Sequence, residues 1–239
     1  MSLIATFLLA AAGAASPPAE VAVLSTLHGL HAEVPGYGDA ALADAIRGLS
    51  PDLLCLEVSP EALAERRAET VKVEYPGVVY PLLDRERYDT CTLEPAREAA
   101  QAIIGPYVAA NQAFAEGSPD AAKAFSDYSE AMYALLRRHW RDAASVNDAT
   151  TDQMMQGKHA IQEALVGPGE AAGWAAWNRH FSERVQEAAS KHPGKRIVVL
   201  VGAEHGYWLR RDLAGAPGIT LLDTASLLRR VEIGALRAW

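Results

Sequence analysis

The stretch R-I-V-V-L-V-G-A-E-H-G-Y-W-L-R-R-D-L, residues 196–213, decides the fold of this chain. It begins with a run of apolar residues that favour β-strands, continues through Gly-Ala-Glu-His-Gly, and ends in an amphipathic run. A continuous apolar run without alternation is typical of a strand buried on both faces, as in a parallel sheet. The stretch therefore predicts a strand, a tight loop and a helix, with His205 just beyond the end of the strand.

Three earlier runs repeat this pattern of a strand followed by a potential metal ligand. They are residues 21–27 with His28, residues 52–56 with Glu57, and residues 88–93 with Glu94. Parallel strands end at the same edge of a sheet, and α/β proteins bind ligands beyond the carboxyl ends of their strands. We therefore expect these side chains to converge with His205.

The spacing of the runs predicts one α/β domain, residues 20–239, with a mostly parallel central sheet flanked by helices. A helical pattern at residues 40–49 joins the first two strands as a βαβ unit, which predicts that they pair in parallel, with His28 and Glu57 at the same end. Residues 95–191 are rich in Ala, Glu, Gln and Arg, and we interpret them as a large helical insertion before the late Gly-Ala-Glu-His strand. This insertion either caps the ligand end of the sheet or forms a homodimer surface.

The overall composition limits the class of partner. The chain has 239 residues, half of them apolar, which is enough for one domain with a sizeable core. It carries 22 Lys and Arg against 30 Asp and Glu, a formal net charge of −8. Such a surface repels phosphate backbones, which argues against nucleic acid as a partner. A small molecule or a peptide is the expected substrate.

The N-terminus has the features of a secretory signal peptide. Residues 1–15 carry no charged side chain, have an apolar centre and end in small residues. The apolar run is too short to span a bilayer comfortably. We therefore predict a signal peptide over residues 1–15, a periplasmic or secreted protein, and no transmembrane helix in the mature chain. An uncleaved membrane tether or a buried first strand is the alternative.

Export permits disulfide bonds, and the chain has two cysteines, Cys55 and Cys91. Both lie within predicted strands, and adjacent central strands rarely offer the geometry that a disulfide needs. We therefore expect buried free thiols rather than a bridge. The chain has no Cys-x-x-Cys pair, which argues against a zinc ribbon or a thioredoxin-like site.

Imidazole and carboxylate groups are common ligands of first-row divalent metals. His28, Glu57 and His205 are therefore candidate ligands of a divalent metal, and manganese, cobalt, zinc and iron are all compatible. A metal held there would make a hydrolase, with Glu204 or Glu94 as general base. The chain has neither a Gly-x-Ser-x-Gly motif nor a phosphate loop. A simpler explanation is that polar residues collect at strand ends because the chain leaves the core there.

Three stretches resemble the signature of the TraB/TIKI superfamily, which is related in fold to ChaN-like and erythromycin-esterase-like proteins. They are Leu24-Ser-Thr-Leu-His28, Leu56-Glu57-Val-Ser-Pro-Glu61 and Val201-Gly-Ala-Glu-His205-Gly. The family signature has two Gly-x-x-His motifs, a Glu after the second strand and an Arg in a late helix. The resemblance implies an α/β core with a helical insertion and a metal-dependent hydrolase or peptidase site that uses His28, Glu57 and His205.

The chain departs from that signature at two positions. Ser25 stands where the family has its first Gly, and Trp177 stands where it has the late-helix Arg. Arg179 lies two residues further on, and we include it with Glu204 and Glu94 among the candidate catalytic residues. The tryptophan at the arginine position also favours a second hypothesis, a non-catalytic haem- or metal-binding protein on the same fold.

Overall fold

The computed structural model of the protein describes residues 16–67 and 71–237. The predicted signal peptide, residues 1–15, lies outside the described residues. Within them the fold is α/β, as the sequence predicts: a parallel sheet is flanked by helices, and a large helical insertion precedes the late Gly-Ala-Glu-His strand. Among the helices described, none has the combination of length and hydrophobicity that crossing a bilayer requires.

The strands are β1 (Ala19–Thr26), β2 (Leu53–Leu56), β3 (Asp89–Thr92), β4 (Arg196–Gly202) and β5 (Ile219–Leu221). The helices outside the insertion are α1 (Asp39–Gly48), α2 (Pro60–Glu65), α3 (Tyr80–Glu86), α9 (Ala203–Leu213) and α10 (Thr224–Arg237). The insertion consists of α4 (Arg97–Gly117), α5 (Pro119–His139), α6 (Ala143–Val146), α7 (Ala149–Val166) and α8 (Pro168–Lys191). Short 3₁₀ turns cover His28–Glu33 and Pro35–Tyr37, and a π-helical turn covers Tyr75–Val79.

The strand order of the sheet is β3-β2-β4-β1-β5, and every pair of neighbours is parallel. The predicted pairing of the first two strands is therefore wrong, because β4 lies between β1 and β2 and pairs with both. Their carboxyl ends still lie at the same edge, since all five strands run in one direction. β4 lies at the centre of the sheet because its residues from Ile197 to Val201 are apolar. Their side chains are buried on both faces of the sheet.

Alternate residues of the central strands pack into two separate cores, one on each face of the sheet. One core holds Leu24, Leu56 and Leu200 with side chains from α1 and α3. The other holds Val23 and Val199 with side chains from α8 and α9. Each fully buried Val or Leu stabilises the fold by about 1.5–3 kcal/mol. The sheet is therefore a rigid platform for whatever lies at its carboxyl edge.

The two cysteines form a disulfide bond, so the prediction of free thiols is wrong. Cys55 on β2 and Cys91 on β3 are register partners with Cα atoms 4.5 Å apart. Direct opposition in neighbouring strands puts both side chains on the same face, and β3 is a short edge strand rather than a central one. The two cysteines are 36 positions apart in sequence, and a bridge that closes a loop of this length typically adds about 3–4 kcal/mol of stability.

Helices α4 and α8 of the insertion approach each other closely at Gly173. A Cβ atom at this position would lie 2.6 Å from the Cβ atom of Tyr107 and 2.7 Å from its backbone nitrogen. Both contacts are well inside van der Waals distance, and backbone atoms cannot move aside as a flexible side chain can. Gly173 therefore sets the distance between the two helices.

We expect Gly173→Ala to lower the free energy of unfolding by about 1–3 kcal/mol, because the added methyl group forces α4 and α8 apart. Urea unfolding followed by circular dichroism measures the change. The matched control is Gly157→Ala in the interior of α7, where a Cβ atom meets nothing within 4 Å. That substitution should be neutral or should stabilise by up to about 1 kcal/mol, and equal effects of the two variants would contradict the packing argument.

Candidate functional site

The carboxyl ends of β1 and β4 lie side by side and form the floor of a cavity of about 470 Å³. The chain leaves β1 through α1 toward β2 and leaves β4 through α9 toward β5, in opposite directions along the sheet. This arrangement is a topological switch point, where open α/β sheets bind their ligands. His28 and His205 both line the cavity, so residues 177 positions apart in sequence are neighbours in space.

His28 is held in a strained position directly after β1. Its φ is 50°, in the left-handed region that non-glycine residues seldom adopt and that often marks a functional site. Its Nδ1 lies 2.7 Å from the Glu74 carboxylate. Burial lowers the pKa of His28, but the hydrogen bond to Glu74 and the charge of Glu57 raise it above its ordinary value overall. Because Nδ1 faces Glu74, the other ring nitrogen, Nε2, points away from Glu74 and toward Glu57.

His205 lies in the first turn of α9 and is 9% exposed. Its ring stacks on Trp174, with ring centroids 4.7 Å apart, and contacts Phe181 at a tilt, with centroids 5.2 Å apart. Its Nδ1 lies 2.8 Å from Oδ1 of Asn178, whose Nδ2 donates to the carbonyl oxygen of Trp174. This second bond fixes the amide orientation, so Nδ1 carries the proton. Burial lowers the pKa of His205 to about 4, which leaves Nε2 with a lone pair at neutral pH.

Glu57 follows β2 and lies between the two histidines. Its Oε1 is 3.9 Å from Nε2 of His28 and 3.8 Å from Nε2 of His205, while Oε2 accepts a hydrogen bond from the backbone N–H of Gly202. Burial raises the pKa of Glu57, but Lys72, His205, His28 and the Gly202 N–H outweigh this effect and lower it to about 2. Glu57 is therefore a carboxylate at every physiological pH.

These three side chains fit a divalent metal in chemistry, and the two distances that join the histidines to Glu57 are close to those of a metal site. Donors around a tetrahedral ion with bonds of 2.0–2.2 Å lie about 3.4 Å apart. A metal-binding histidine usually donates its other ring N–H to a carboxylate or carbonyl group, as His28 and His205 do to Glu74 and Asn178. In the described part of the chain, however, no three His, Cys, Asp or Glu side chains are arranged to hold an ion as they stand. Both distances from a histidine Nε2 to Oε1 of Glu57 exceed this donor separation by about 0.5 Å.

Gly202 allows His28 to approach. A Cβ atom at Gly202 would lie 2.5 Å from Nε2 of His28, so a larger residue would displace the ring from this position. The same glycine supplies the N–H that Glu57 accepts. The glycine of the Val-Gly-Ala-Glu-His stretch therefore has a physical role in joining the two halves of the cluster.

Glu94 reaches the cluster through Lys72. Nζ of Lys72 lies 3.5 Å from Oε1 of Glu57, donates to the Glu57 carbonyl oxygen at 2.7 Å and forms an ion pair with the Glu94 carboxylate. Lys72 is 9% exposed. An ion pair with an ammonium group stabilises a carboxylate and weakens it as a proton acceptor. Glu94 is therefore near the site but poorly suited to act as general base in this arrangement.

Glu204 belongs to a different polar cluster on the other side of the cavity. Its carboxylate accepts hydrogen bonds from Tyr133 and, at 2.6 Å, from Lys158, and lies 3.2 Å from Nε2 of His159. Burial raises the pKa of Glu204, but His159 and Lys158 lower it below its ordinary value overall. Glu204 also lines the cavity, so it can contact a ligand, yet it is a weak proton acceptor.

Arg179 does not join either cluster. It is exposed on α8, and the residue before it, Asn178, is the one that faces His205. The sequence reasoning did not identify Asn178, Trp174, Lys72 or Glu74 as site residues. Two sequence patterns could have indicated these residues. Trp174 and Asn178 are four residues apart, which places them on one helix face, and charged and apolar residues alternate in V-K-V-E-Y at residues 71–75.

The walls of the cavity are mostly apolar. Leu27, Leu30, Val71, Trp140 and Ala203 supply this surface, with the carboxylates of Glu33 and Glu204 at its polar positions. Trp140 is fixed by a hydrogen bond from Nε1 to Oγ1 of Thr151 at 2.9 Å. Among the described residues that line the cavity there is no Lys or Arg. The cavity therefore favours uncharged or cationic ligands over anionic ones.

Comparison of the chain with protein-family models, with curated proteins and with solved structures finds no match. The resemblance to the TraB/TIKI superfamily therefore rests on the three sequence stretches alone.

Glu170 is a buried carboxyl group in the helical insertion, near the cluster that contains Glu204 and Lys158. It is 1% exposed, and its Oε1 has no hydrogen-bond partner among the described residues. Burial, together with Glu163, raises the pKa of Glu170 to about 7. The folded state therefore binds more protons than the unfolded state between about pH 4.5 and pH 7, so stability falls as the pH rises through this window.

We expect Glu170→Gln to raise the Tm at pH 8 by about 2–4 °C, because the amide does not ionise, and to leave the Tm at pH 4 unchanged. Differential scanning calorimetry at the two pH values measures this difference. Glu183→Gln, an exposed position on the same helix, is the control and should show no such pH dependence. A stabilisation by Glu170→Gln that is equal at pH 4 and pH 8 would disprove the assignment.

Proposed function

We propose that the protein is an exported metal-dependent hydrolase, possessing peptidase or esterase activity, of the TraB/TIKI type. His28, Glu57 and His205 would hold a divalent ion of manganese, cobalt, zinc or iron. The observation that carries the proposal is that Nε2 of both histidines lies within 4 Å of one carboxylate oxygen of Glu57. Both Nδ1 atoms are engaged elsewhere, so both Nε2 atoms face this oxygen.

The charges of the cluster support a divalent ion. Among the described residues, the ammonium group of Lys72 lies against the carboxylates of Glu57 and Glu94, and the carboxylate of Glu74 lies against His28. Two of these carboxylates, those of Glu57 and Glu74, belong to residues that are 4% and 0% exposed, and a buried carboxylate is costly unless it faces a cation. A proton on His28 offsets one of them, in keeping with the raised pKa of this residue. A divalent ion in the same place would offset both.

The chemistry of the proposal divides between the ion and the chain. A divalent ion at this position supplies Lewis-acid activation of a carbonyl group and of water. The chain would hold that ion through His28, Glu57 and His205, and Glu74 and Asn178 keep the two imidazoles in the required tautomer. The apolar walls around Leu27 and Trp140 would exclude water from the reacting group.

The cavity supports a particular class of substrate. Its apolar walls and its volume suit an uncharged hydrocarbon or aromatic group, such as the side chain of an apolar amino acid. Its only charged lining residues among those described, apart from the histidines, are the acidic Glu33 and Glu204. We therefore propose esters, amides or peptides with an apolar acyl side, and no phosphate esters.

The disulfide between Cys55 and Cys91 supports export. Disulfide bonds persist in oxidising compartments such as the periplasm and the extracellular space, and are uncommon in the cytosol of mesophiles. Together with the sequence of residues 1–15, this supports a periplasmic or secreted location.

Metal analysis and substrate assays of the purified protein test the proposal. We expect about one divalent ion per chain after loading, and hydrolysis of neutral apolar esters or peptides that depends on the ion. Gly202→Ala should weaken ion binding by on the order of tenfold or more, because the methyl group displaces His28. Gly29→Ala is the matched control, since a Cβ atom there meets nothing within 4 Å. Negligible metal in the wild type after loading would refute the proposal.

The alternative is a non-catalytic metal-binding protein on the same fold. The observation that favours it is that both candidate bases, Glu94 and Glu204, are ion-paired with lysines. A stoichiometric ion without hydrolysis of any ester or peptide would support this alternative. Haem is a poorer ligand, because Nε2 of His205, the atom that would bind its iron, faces the Glu57 carboxylate at 3.8 Å, where the porphyrin plane would have to lie. Visible spectra after haem addition should therefore show no Soret shift that depends on His205.

A further inference from the structure

In residues 71–75, V-K-V-E-Y, the valine side chains face solvent and the charged side chains face the interior, the reverse of the usual arrangement. The apolar side chains of Val71 and Val73 are 65% and 45% exposed, whereas the charged residues Lys72 and Glu74 are 9% and 0% exposed. Burying a charge costs free energy unless it is paired, and exposing valine gains nothing. The orientation of this segment is therefore explained by the contacts that its charged side chains make with the site.

Each inward-facing residue of the segment contacts a different part of the site. Glu74 accepts from Nδ1 of His28, and the Tyr75 hydroxyl accepts from the backbone N–H of Glu57 at 2.7 Å. Lys72 contacts the carboxylates of Glu57 and Glu94. The segment thus carries two groups that orient the candidate metal ligands and one cation that lies against them.

The position of Lys72 conflicts with a second cation at the same carboxylates. Its ammonium group is 3.5 Å from Oε1 of Glu57, the oxygen that both histidines face. A divalent ion bound to this oxygen at about 2.1 Å would lie within roughly 3–5 Å of the ammonium. Like charges at that separation in a buried site repel strongly.

We propose that Lys72 is an internal competitor of the divalent ion. Its ammonium group lies against the Glu57 and Glu94 carboxylates, and ion binding displaces it from Glu57. Lys72 therefore sets the ion affinity of the site and keeps it lower than the donor set alone would give. This inference rests on the proposed function, because it concerns the same ion.

Ion affinities of three variants test the inference. Lys72→Met keeps the length of the side chain and removes its charge, and Lys72→Arg keeps the charge. Lys158→Met is the matched control, because Lys158 is also ion-paired with a glutamate and the two lysine side chains are equally exposed, at 11%. Competition with a chromophoric chelator gives the dissociation constants for Co²⁺ and Zn²⁺.

We expect Lys72→Met to bind Co²⁺ and Zn²⁺ at least about tenfold more tightly than the wild type, since a buried like charge has been removed. Lys158→Met should stay within about threefold, and Lys72→Arg should bind no more tightly than the wild type. Binding by Lys72→Met that is equal to or weaker than that of a metal-binding wild type overturns the inference and leaves the proposed function intact. Absence of binding by every variant overturns both.

A measurement on the unaltered protein covers the case in which Lys72→Met does not fold. Acetylation by acetic anhydride, read by mass spectrometry for each lysine, reports how accessible each ammonium group is. Saturating Zn²⁺ should increase the labelling rate of Lys72 severalfold and leave that of Lys158 unchanged, because only Lys72 is displaced. Equal protection of Lys72 with and without bound Zn²⁺ contradicts the inference.

Discussion

The parallel pairing of β4 with β1 on one side and with β2 on the other is the constraint on which the rest of the structure depends. Residues 197–201 are buried on both faces, so this strand must lie at the centre of the sheet. That position brings three strand ends, at residues 26, 56 and 202, to one edge of the sheet. His28, Glu57 and His205 become neighbours for this reason, and the Glu57 carboxylate, through the Gly202 N–H, joins the ends of β2 and β4.

Electrostatics then decides what this edge of the sheet can do. Carboxylates and imidazoles are brought together in a place that water reaches poorly, and each is held by a second group: Glu74 for His28, Asn178 for His205 and Gly202 for Glu57. Such contacts restrict the orientation of each side chain, and they fix the tautomer of each imidazole. Glu57 in this arrangement lies against a cation of the chain itself, the buried ammonium group of Lys72, which also pairs with Glu94.

The helical insertion completes the site instead of standing apart from it. Helix α8 provides Trp174, Asn178 and Phe181, which hold His205, and α5 provides Tyr133, which contacts Glu204. The close approach of α4 and α8 at Gly173 keeps α8 in place. One wall of the cavity and the support of one histidine therefore come from the part of the chain that carries no strand.

The sequence by itself determined the fold class, the four strands that lead to His28, Glu57, Glu94 and His205, and the convergence of His28, Glu57 and His205. Strand periods and strand ends are local properties, and parallel strands share an edge. The tertiary structure decided that β4 separates β1 from β2, that Cys55 and Cys91 are bonded, that Arg179 faces solvent, and that Lys72 and Glu74 face inward. These features depend on contacts between residues far apart in the chain. The inward orientation of Lys72 is stable because the carboxylates of Glu57 and Glu94, which follow β2 and β3, pair with its ammonium group.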